Sequence, residues 1–319
     1  MTFKTGIDWL KFRTLTGANE GLEAIRPAFG SAGDMLVLGE QGKGVDGWLC
    51  RKPVMLSDLR IGSVDFGGES QRGWVRWDVP ATGCEWVQDW SVIERLPQSL
   101  EGADIKRLDI ALTTTDGSVN HDMVIAAHVA RQFCNGGRHP HYRVVGGSDP
   151  RAGRTIYVGR RDGGKFLRCY EKGFELVKLV PETWRKLITQ IEVDGHGLSD
   201  IEKVYRVEVE FKAGDGYVIP WAAVCSGRDA AFAGAYPFTA SLLPGQVPVT
   251  PKRLPDVRPR LALAAALENC RKSYGGILRA AFEAYGGDMA RVWSAVCAEE
   301  PSRALVEAGV LTVDHETRV

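Results

Sequence analysis

Several stretches of the chain alternate apolar and polar residues with the period of a β-strand. Over 105–113, IKRLDIALT, the residues Leu108, Ile110 and Leu112 fall on one face and Arg107, Asp109 and Ala111 on the other. Over 204–212, VYRVEVEFK, Tyr205, Val207, Val209 and Phe211 take one face, and Arg206, Glu208, Glu210 and Lys212 the other. Successive side chains of a strand point to opposite faces, so each segment predicts a strand with one apolar and one polar side. Between them, 154–160 (RTIYVGR) and 165–170 (KFLRCY) flank Arg161-Asp162-Gly163-Gly164. Glycine after an acid between two such runs predicts a hairpin. Asn120 is placed to cap a helix reaching about Cys134.

Residues 1–104 read as a β-rich N-terminal part, with GIDWLKFRT as a first strand and GWVRWDVP as a later one. The pattern changes at 244–259, where five of the fifteen prolines lie. Proline lacks an N–H and restricts the residue before it, so this stretch predicts a linker. It separates a core at 105–243 from a helical region at 260–319. In that last region, runs rich in Ala and Leu end twice in paired glycines, at 275–276 and 286–287, and a third run begins at Asp288. Three short helices are expected, the last limited by Pro301. The order of elements predicts an α+β fold: a largely antiparallel sheet with helices packed on one face, followed by a small helical C-terminal region.

Composition narrows the class. Of 319 residues, 44% are hydrophobic and 25% charged, which suits a globular chain and excludes low-complexity disorder. No run approaches the roughly 18 apolar residues of a membrane span, and the first eight residues hold no apolar signal core. A cytoplasmic protein is expected. The seven cysteines are odd in number and never spaced Cys-x-x-Cys, so reduced thiols are expected. The zero net charge is a sum of opposites. Between Arg138 and Lys172 nine Lys/Arg stand against three acids, while 281–319 carries seven acids and three bases. Phosphate-backbone binding uses such clustering. The candidate DNA contacts are Arg154, Arg160 and Arg161 at the hairpin, with Lys165 and Arg206.

Two polar faces carry candidate chemistry. Glu208 and Glu210 point the same way, about 6.5 Å apart along their strand. With Asp109 from another strand they offer hard oxygen donors of the kind Mg²⁺ or Mn²⁺ takes. The same pattern also fits cross-strand ion pairs to Arg107 and Arg206. Arg168 and Tyr170 share a face, with Lys172 two residues on; adjacent cations favour a phenolate and hold a phosphate diester. A half-buried structural tyrosine is the alternative. Gly42-Lys43-Gly44-Val45-Asp46-Gly47 matches G-x-G-x-x-G, yet WLCRKP follows where a dinucleotide site needs a helix. No G-x-x-x-x-G-K-[ST] loop is present, so nothing points to an NTPase. His139-Pro140-His141 has the spacing of a metal-binding pair, but its central proline favours a loop.

Taken in order, these segments resemble the replication-initiation-factor family, the rolling-circle initiators of filamentous phages and small staphylococcal-type plasmids. TIYVGRRDGGKFLRCYEKGFE (155–175) looks like its signature, a strand ending in Gly, a polar turn and Arg-x-Tyr-x-Lys, here Arg168-Cys169-Tyr170-Glu171-Lys172. Upstream, Arg107-Leu108-Asp109-Ile110-Ala111 is similar to the family's Arg-Leu-Asp-hydrophobic-Ala strand. Downstream, Arg206-Val207-Glu208-Val209-Glu210 is similar to its Arg-hydrophobic-Glu-hydrophobic-Glu. The resemblance covers about 100 to 290.

The resemblance implies an enzyme that nicks one strand at its origin with a divalent metal, Mg²⁺ or Mn²⁺. Its tyrosine joins the 5′ phosphate, the freed 3′ hydroxyl primes synthesis, and the displaced circle is later rejoined. Carried over by position, Tyr170 is the nucleophile and Arg168 and Lys172 hold the scissile phosphate. Asp109, Glu208 and Glu210 are the metal-ligand candidates. The implied partners are double- and single-stranded origin DNA, a host helicase, single-strand-binding protein and DNA polymerase, in a bacterial host cell, with a homodimer as one assembly and no membrane. One departure stands out: many members carry a second acid where this chain has Thr113, followed by Thr114, Thr115 and Asp116. Rival readings are a non-enzymatic DNA-binding regulator on the same scaffold, a His-pair nuclease using His139 and His141, and a metabolic α+β enzyme.

Overall fold

The structure, a computed structural model, describes residues 5–134, 137–185, 187–193, 197–214, 218–250 and 263–298. The chain divides into two units, Met1–Arg253 and Leu254–Val319. That boundary falls inside the proline-rich stretch 244–259, of which 251–259 lies outside the described residues.

The first unit is built on one antiparallel sheet. In chain order its strands are β1 (Thr5–Thr14), β2 (Leu36–Leu38), β3 (Gly42–Lys43), β4 (Cys50–Leu56), β5 (Leu59–Phe66), β6 (Val75–Val79), β7 (Asp104–Thr114), β8 (Tyr142–Val145), β9 (Thr155–Gly159) and β10 (Lys165–Tyr170). The short β11 (Gln190–Glu192) and β12 (Leu198–Asp200) pair with each other, and β13 (Tyr205–Lys212) returns to the main sheet. The order across it is β2-β4-β5-β6-β1-β7-β13-β10-β9-β8, with β3 beside β4. The helices are α1 (Ala18–Ile25), α2 (Ala81–Cys84), α3 (Trp90–Glu94), α4 (His121–Val129), α5 (Lys172–Val177), α6 (Glu182–Arg185), α7 (Arg228–Ala233) and α8 (Pro237–Leu242), then α9 (Leu263–Ala284) and α10 (Met289–Val296) in the second unit.

Register explains why the sheet has two unlike faces. Val207 pairs with Leu112 and Cys169, and Val209 with Ile110 and Leu167, so the apolar positions of three strands line up. Ile156 and Val158 of β9 extend that row, as do Leu10 and Phe12 of β1 and Trp77 of β6. All are buried in one core. Helix α1 adds Leu22 and Ile25 to it, α4 adds Val124 and Ala127, α7 adds Phe232, and α8 adds Phe238 and Leu242. Each large side chain buried this way stabilises the fold by about 1.5–3 kcal/mol. The opposite face carries the polar half of every alternating strand.

Strand β1 lies between β6 and β7, so residues 1–104 and 105–243 share one sheet rather than forming separate layers. It contains a bulge. Ile7 faces Ile110 and Trp9 faces Asp109, which leaves Asp8 as the extra residue. A bulge re-aims the side chain it inserts.

Two helices differ from the sequence pattern. The helix capped by Asn120, whose side chain accepts from the Met123 N–H, stops at Val129, and Arg131 turns the chain at φ +60°. In the second unit, two of the three expected helices are one. Helix α9 runs through Gly275 and Gly276, and the chain stops only at Gly286 and Gly287, whose φ values are +64° and +85°. Paired glycines lower helix propensity but end a helix only where the backbone turns left-handed. The Gly42–Gly47 run covers β3 and the turn that leads to β4, with no helix behind it.

Candidate active site

The polar face gathers its charges on β1, β7, β13 and β10. Asp109 faces Glu210 across β7 and β13, Glu208 faces Arg168 across β13 and β10, and Arg206 faces Tyr170. All three acids are buried, Asp109 completely. Cations lie on them. Arg107 donates from Nε to Asp109 Oδ1 at 2.8 Å and lies 3.0 Å from Glu210. Arg168 bonds Glu208 and lies 3.6 Å from Asp109. Lys212 meets Glu210 at 2.7 Å. Ion pairs of the kind the sequence suggested cover this face, although Arg206 takes a different acid.

That acid is Asp8, which the β1 bulge turns onto this face. Arg206 donates from Nη1 to Asp8 Oδ1 and from Nε to Thr113 Oγ1, both at 2.8 Å. Thr113, where the resemblance leads one to expect an acid, is thus a hydrogen-bond acceptor for Arg206. Asp116 lies past the end of β7, where its carboxylate accepts from the Ser118 N–H. Sequence reasoning missed Asp8. The signal was present: apolar residues Ile7 and Leu10 are three apart in an otherwise alternating run, the mark of one inserted residue.

Tyr170, Arg168, Lys172, Arg206, Glu208 and Asp8 line one cleft of about 320 Å³, with Thr155 and Tyr157 of β9 on its wall. Burial pushes the Tyr170 phenol well above its ordinary range, with Arg206 pulling the other way. The expectation that neighbouring cations favour the phenolate is therefore corrected. Arg168 is engaged by Glu208 and Asp109, and Lys172 by Glu175 at 3.0 Å, with its ammonium 5.8 Å from the tyrosine ring centre. Burial also lifts the Glu208 carboxyl to about 7, although Arg168 opposes that shift. Asp109 is raised as well, again chiefly by burial.

The expected DNA contacts separate. Lys165 sits with Leu167 and Cys169 on the apolar side of β10, donates to the Ala235 carbonyl and lies 3.9 Å from the Tyr236 ring centre. Its charge points away from the Arg168–Tyr170 face, because it is an odd number of residues from both. Arg154 pairs with Glu171 at 2.7 Å, and Arg160 with Asp162 at 3.0 Å. Arg161 turns over the rings of Tyr157 and Phe166. Arg206 is buried under Tyr170's strand, a member of the cleft more than of a surface. His139 packs on His128 with ring centres 4.5 Å apart, and His141 lines a different cleft beside Arg143.

The fit of a divalent cation follows from these positions. Asp109, Glu208 and Glu210 supply the right donor atoms. Their arrangement does not make a ligand set: a guanidinium lies between Asp109 and Glu208, and another between Asp109 and Glu210. Among the described residues, no three His, Cys, Asp or Glu side chains gather as a metal site.

Comparison with known proteins gives the class. Residues 103–253 match the model of a family described as replication initiation factor. The match spans β7 to the end of the first unit, so β1 and its Asp8 lie before it. Among solved structures, the chain is similar to a rolling circle replication initiator protein from Geobacillus stearothermophilus. The identity is 18%, over 66% of this chain and 74% of that one, with a TM-score of 0.46. No curated protein matches.

Proposed function

We propose that the protein initiates rolling-circle DNA replication by nicking one strand of an origin with Tyr170 and later rejoining it. The observation that carries this reading is the Tyr170 cleft, where one tyrosine is surrounded by Arg168, Lys172 and Arg206 within a replication initiation factor domain. In the reaction, Tyr170 Oη attacks the scissile phosphorus, the bond from phosphorus to the 3′ oxygen breaks, and a 5′-phosphotyrosyl link forms. The departing 3′ oxygen takes up a proton and becomes the primer. The reverse attack rejoins the strand. Bond energy is conserved in the phosphotyrosyl link, so no nucleotide cofactor is needed.

The residues divide the work. A neutral phenol must lose its proton as it attacks, and Glu208, in the same cleft with its carboxyl raised to about 7, is matched to accept it near neutral pH. Lys172 and Arg168 hold the phosphate oxygens, and Arg206, opposite Tyr170, stabilises charge developing on the tyrosyl oxygen. The Mg²⁺ or Mn²⁺ implied by the family resemblance belongs to the proposal as a requirement to be measured. Origin DNA is the substrate, and a bacterial cytoplasm with helicase, single-strand-binding protein and polymerase is the setting. Homodimer formation is a further part of the proposal.

The test is incubation with supercoiled DNA carrying the cognate origin, with Mg²⁺ or Mn²⁺. Nicked circles that disappear in Tyr170→Phe support the reading. Nicking that survives Tyr170→Phe but is lost in His139→Ala/His141→Ala transfers the activity to the histidine pair. Origin binding without cleavage points to a regulator.

A further inference from the structure

A second cleft, of about 470 Å³, opens on the same face of the sheet beyond Tyr157. Its floor is the half-buried ring of Tyr157 of β9, which stacks on the buried Phe166 of β10 with centres 5.6 Å apart and planes 18° apart. Two guanidinium groups stand at these rings. Arg143 of β8 lies 5.1 Å from the Tyr157 centre, and Arg161 lies 5.5 Å from that of Phe166 and 6.0 Å from that of Tyr157. Arg160 is neutralised by Asp162, but among the described residues neither Arg143 nor Arg161 has an acidic partner. Both are exposed. A cleft of this size lies within the range of small-ligand pockets, roughly 300–1,000 Å³.

The position of Tyr157 gives the cleft its meaning. The same side chain lines the Tyr170 cleft. Strand register places Tyr157 opposite Arg168, and Phe166 lies four residues before Tyr170 on the same strand and the same face, about 13 Å away. A strand whose phosphate sits at Tyr170 therefore runs over Tyr157 into this cleft. A half-buried ring with two guanidinium groups over it matches the two parts of a nucleotide: a base to stack and a phosphate to neutralise. Bases inside a duplex cannot present a face to such a floor, whereas unpaired ones can.

We infer that this cleft holds an unpaired nucleotide of the strand being cut, its base stacked at Tyr157 and its phosphate held by Arg143 and Arg161. The cleft thereby captures single-stranded DNA and aligns the phosphate at Tyr170. This inference rests on the nicking reading for its direction along the strand, but not for the binding itself.

The test uses the full chain in EDTA, so that no cleavage occurs, with a fluorescently labelled single-stranded oligodeoxynucleotide and the same sequence as a duplex. Anisotropy is expected to show preference for the single strand. Arg143→Ala/Arg161→Ala should weaken single-strand binding about tenfold and lower the slope of log affinity against log salt by about 0.7, the value for one phosphate no longer neutralised. Tyr157→Leu should weaken it about tenfold and abolish quenching of a 2-aminopurine base in the oligonucleotide, while Tyr157→Trp retains both. Circular dichroism checks that each variant is folded. Unchanged binding in the arginine double variant, or equal weakening for single strand and duplex, overturns the inference. Loss of nicking in Tyr170→Phe is read in a separate assay, so either reading can fail without the other.

Discussion

Asp8 on β1 and Arg206 on β13 form a 2.8 Å ion pair that reaches across β7, the strand between them. The pair ties a residue outside the replication initiation factor stretch to the residue directly opposite Tyr170. Asp8→Asn should cost about 1–3 kcal/mol of stability, since it removes a carboxylate charge from a buried guanidinium. It should also slow nicking more than it weakens DNA binding. Urea denaturation and single-turnover cleavage check the two effects. Equal stability and equal rate would make the pair incidental.

Arg168 opposes the burial that raises the Glu208 and Asp109 carboxyls. Arg168→Ala should destabilise the protein by about 2–3 kcal/mol at pH 8 and by less at pH 5.5, where Glu208 takes up a proton. For the intact protein the sign is the same. Glu208 rises from 4.5 to about 7 on folding, so the folded state binds more protons across that window and stability falls as pH increases through it. Glu208→Gln should gain on the wild type between pH 4.5 and 7, as measured by thermal midpoints. The wild-type nicking rate should rise with pH through about 7, and that limb should vanish in the variant.

Lys165 behaves oppositely. Burial lowers its ammonium from 10.5 to about 8, so the unfolded state binds more protons between those values and stability should rise as pH increases from 8 to 10.5. Lys165→Met should lose this rise and be the more stable form at pH 7. The same variant should leave DNA affinity nearly unaltered, because the lysine faces the core side of the sheet.

Helix α9 offers a backbone test. At Gly276 an added Cβ meets nothing within 4 Å, and at Gly275 the nearest atom is Arg271 Cγ at 3.7 Å. Alanine at either site should therefore stabilise the helix by about 0.5–1 kcal/mol. At Gly286 or Gly287, where φ is positive, alanine should destabilise the turn. Helicity by circular dichroism distinguishes the pairs.

The legible part of this protein was its central strands. Strict alternation in β7, β10 and β13 set which residues share a face, and Asp109, Glu208, Arg168 and Tyr170 do share one. Alternation also contained a warning about Lys165 that charge counting overrode. What the pattern could not carry was partner choice. Nothing in VEVEFK tells which arginine covers Glu208, because that depends on strand order, and β1 enters between β6 and β7 from far away in sequence. Asp8 required recognising a bulge from one irregular spacing. Tyr157 and Phe166 became a unit only through the β9–β10 register, and burial, which raises Tyr170, has no signature in a motif.

The central claim is tested most directly by mapping a covalent adduct. The full chain is incubated with origin DNA and Mg²⁺ or Mn²⁺, digested with protease and nuclease, and its peptides are read by tandem mass spectrometry. The account predicts a nucleotide joined through its 5′ phosphate to Tyr170, absent in Tyr170→Phe. An adduct on another residue, or efficient nicking with no adduct, would contradict it.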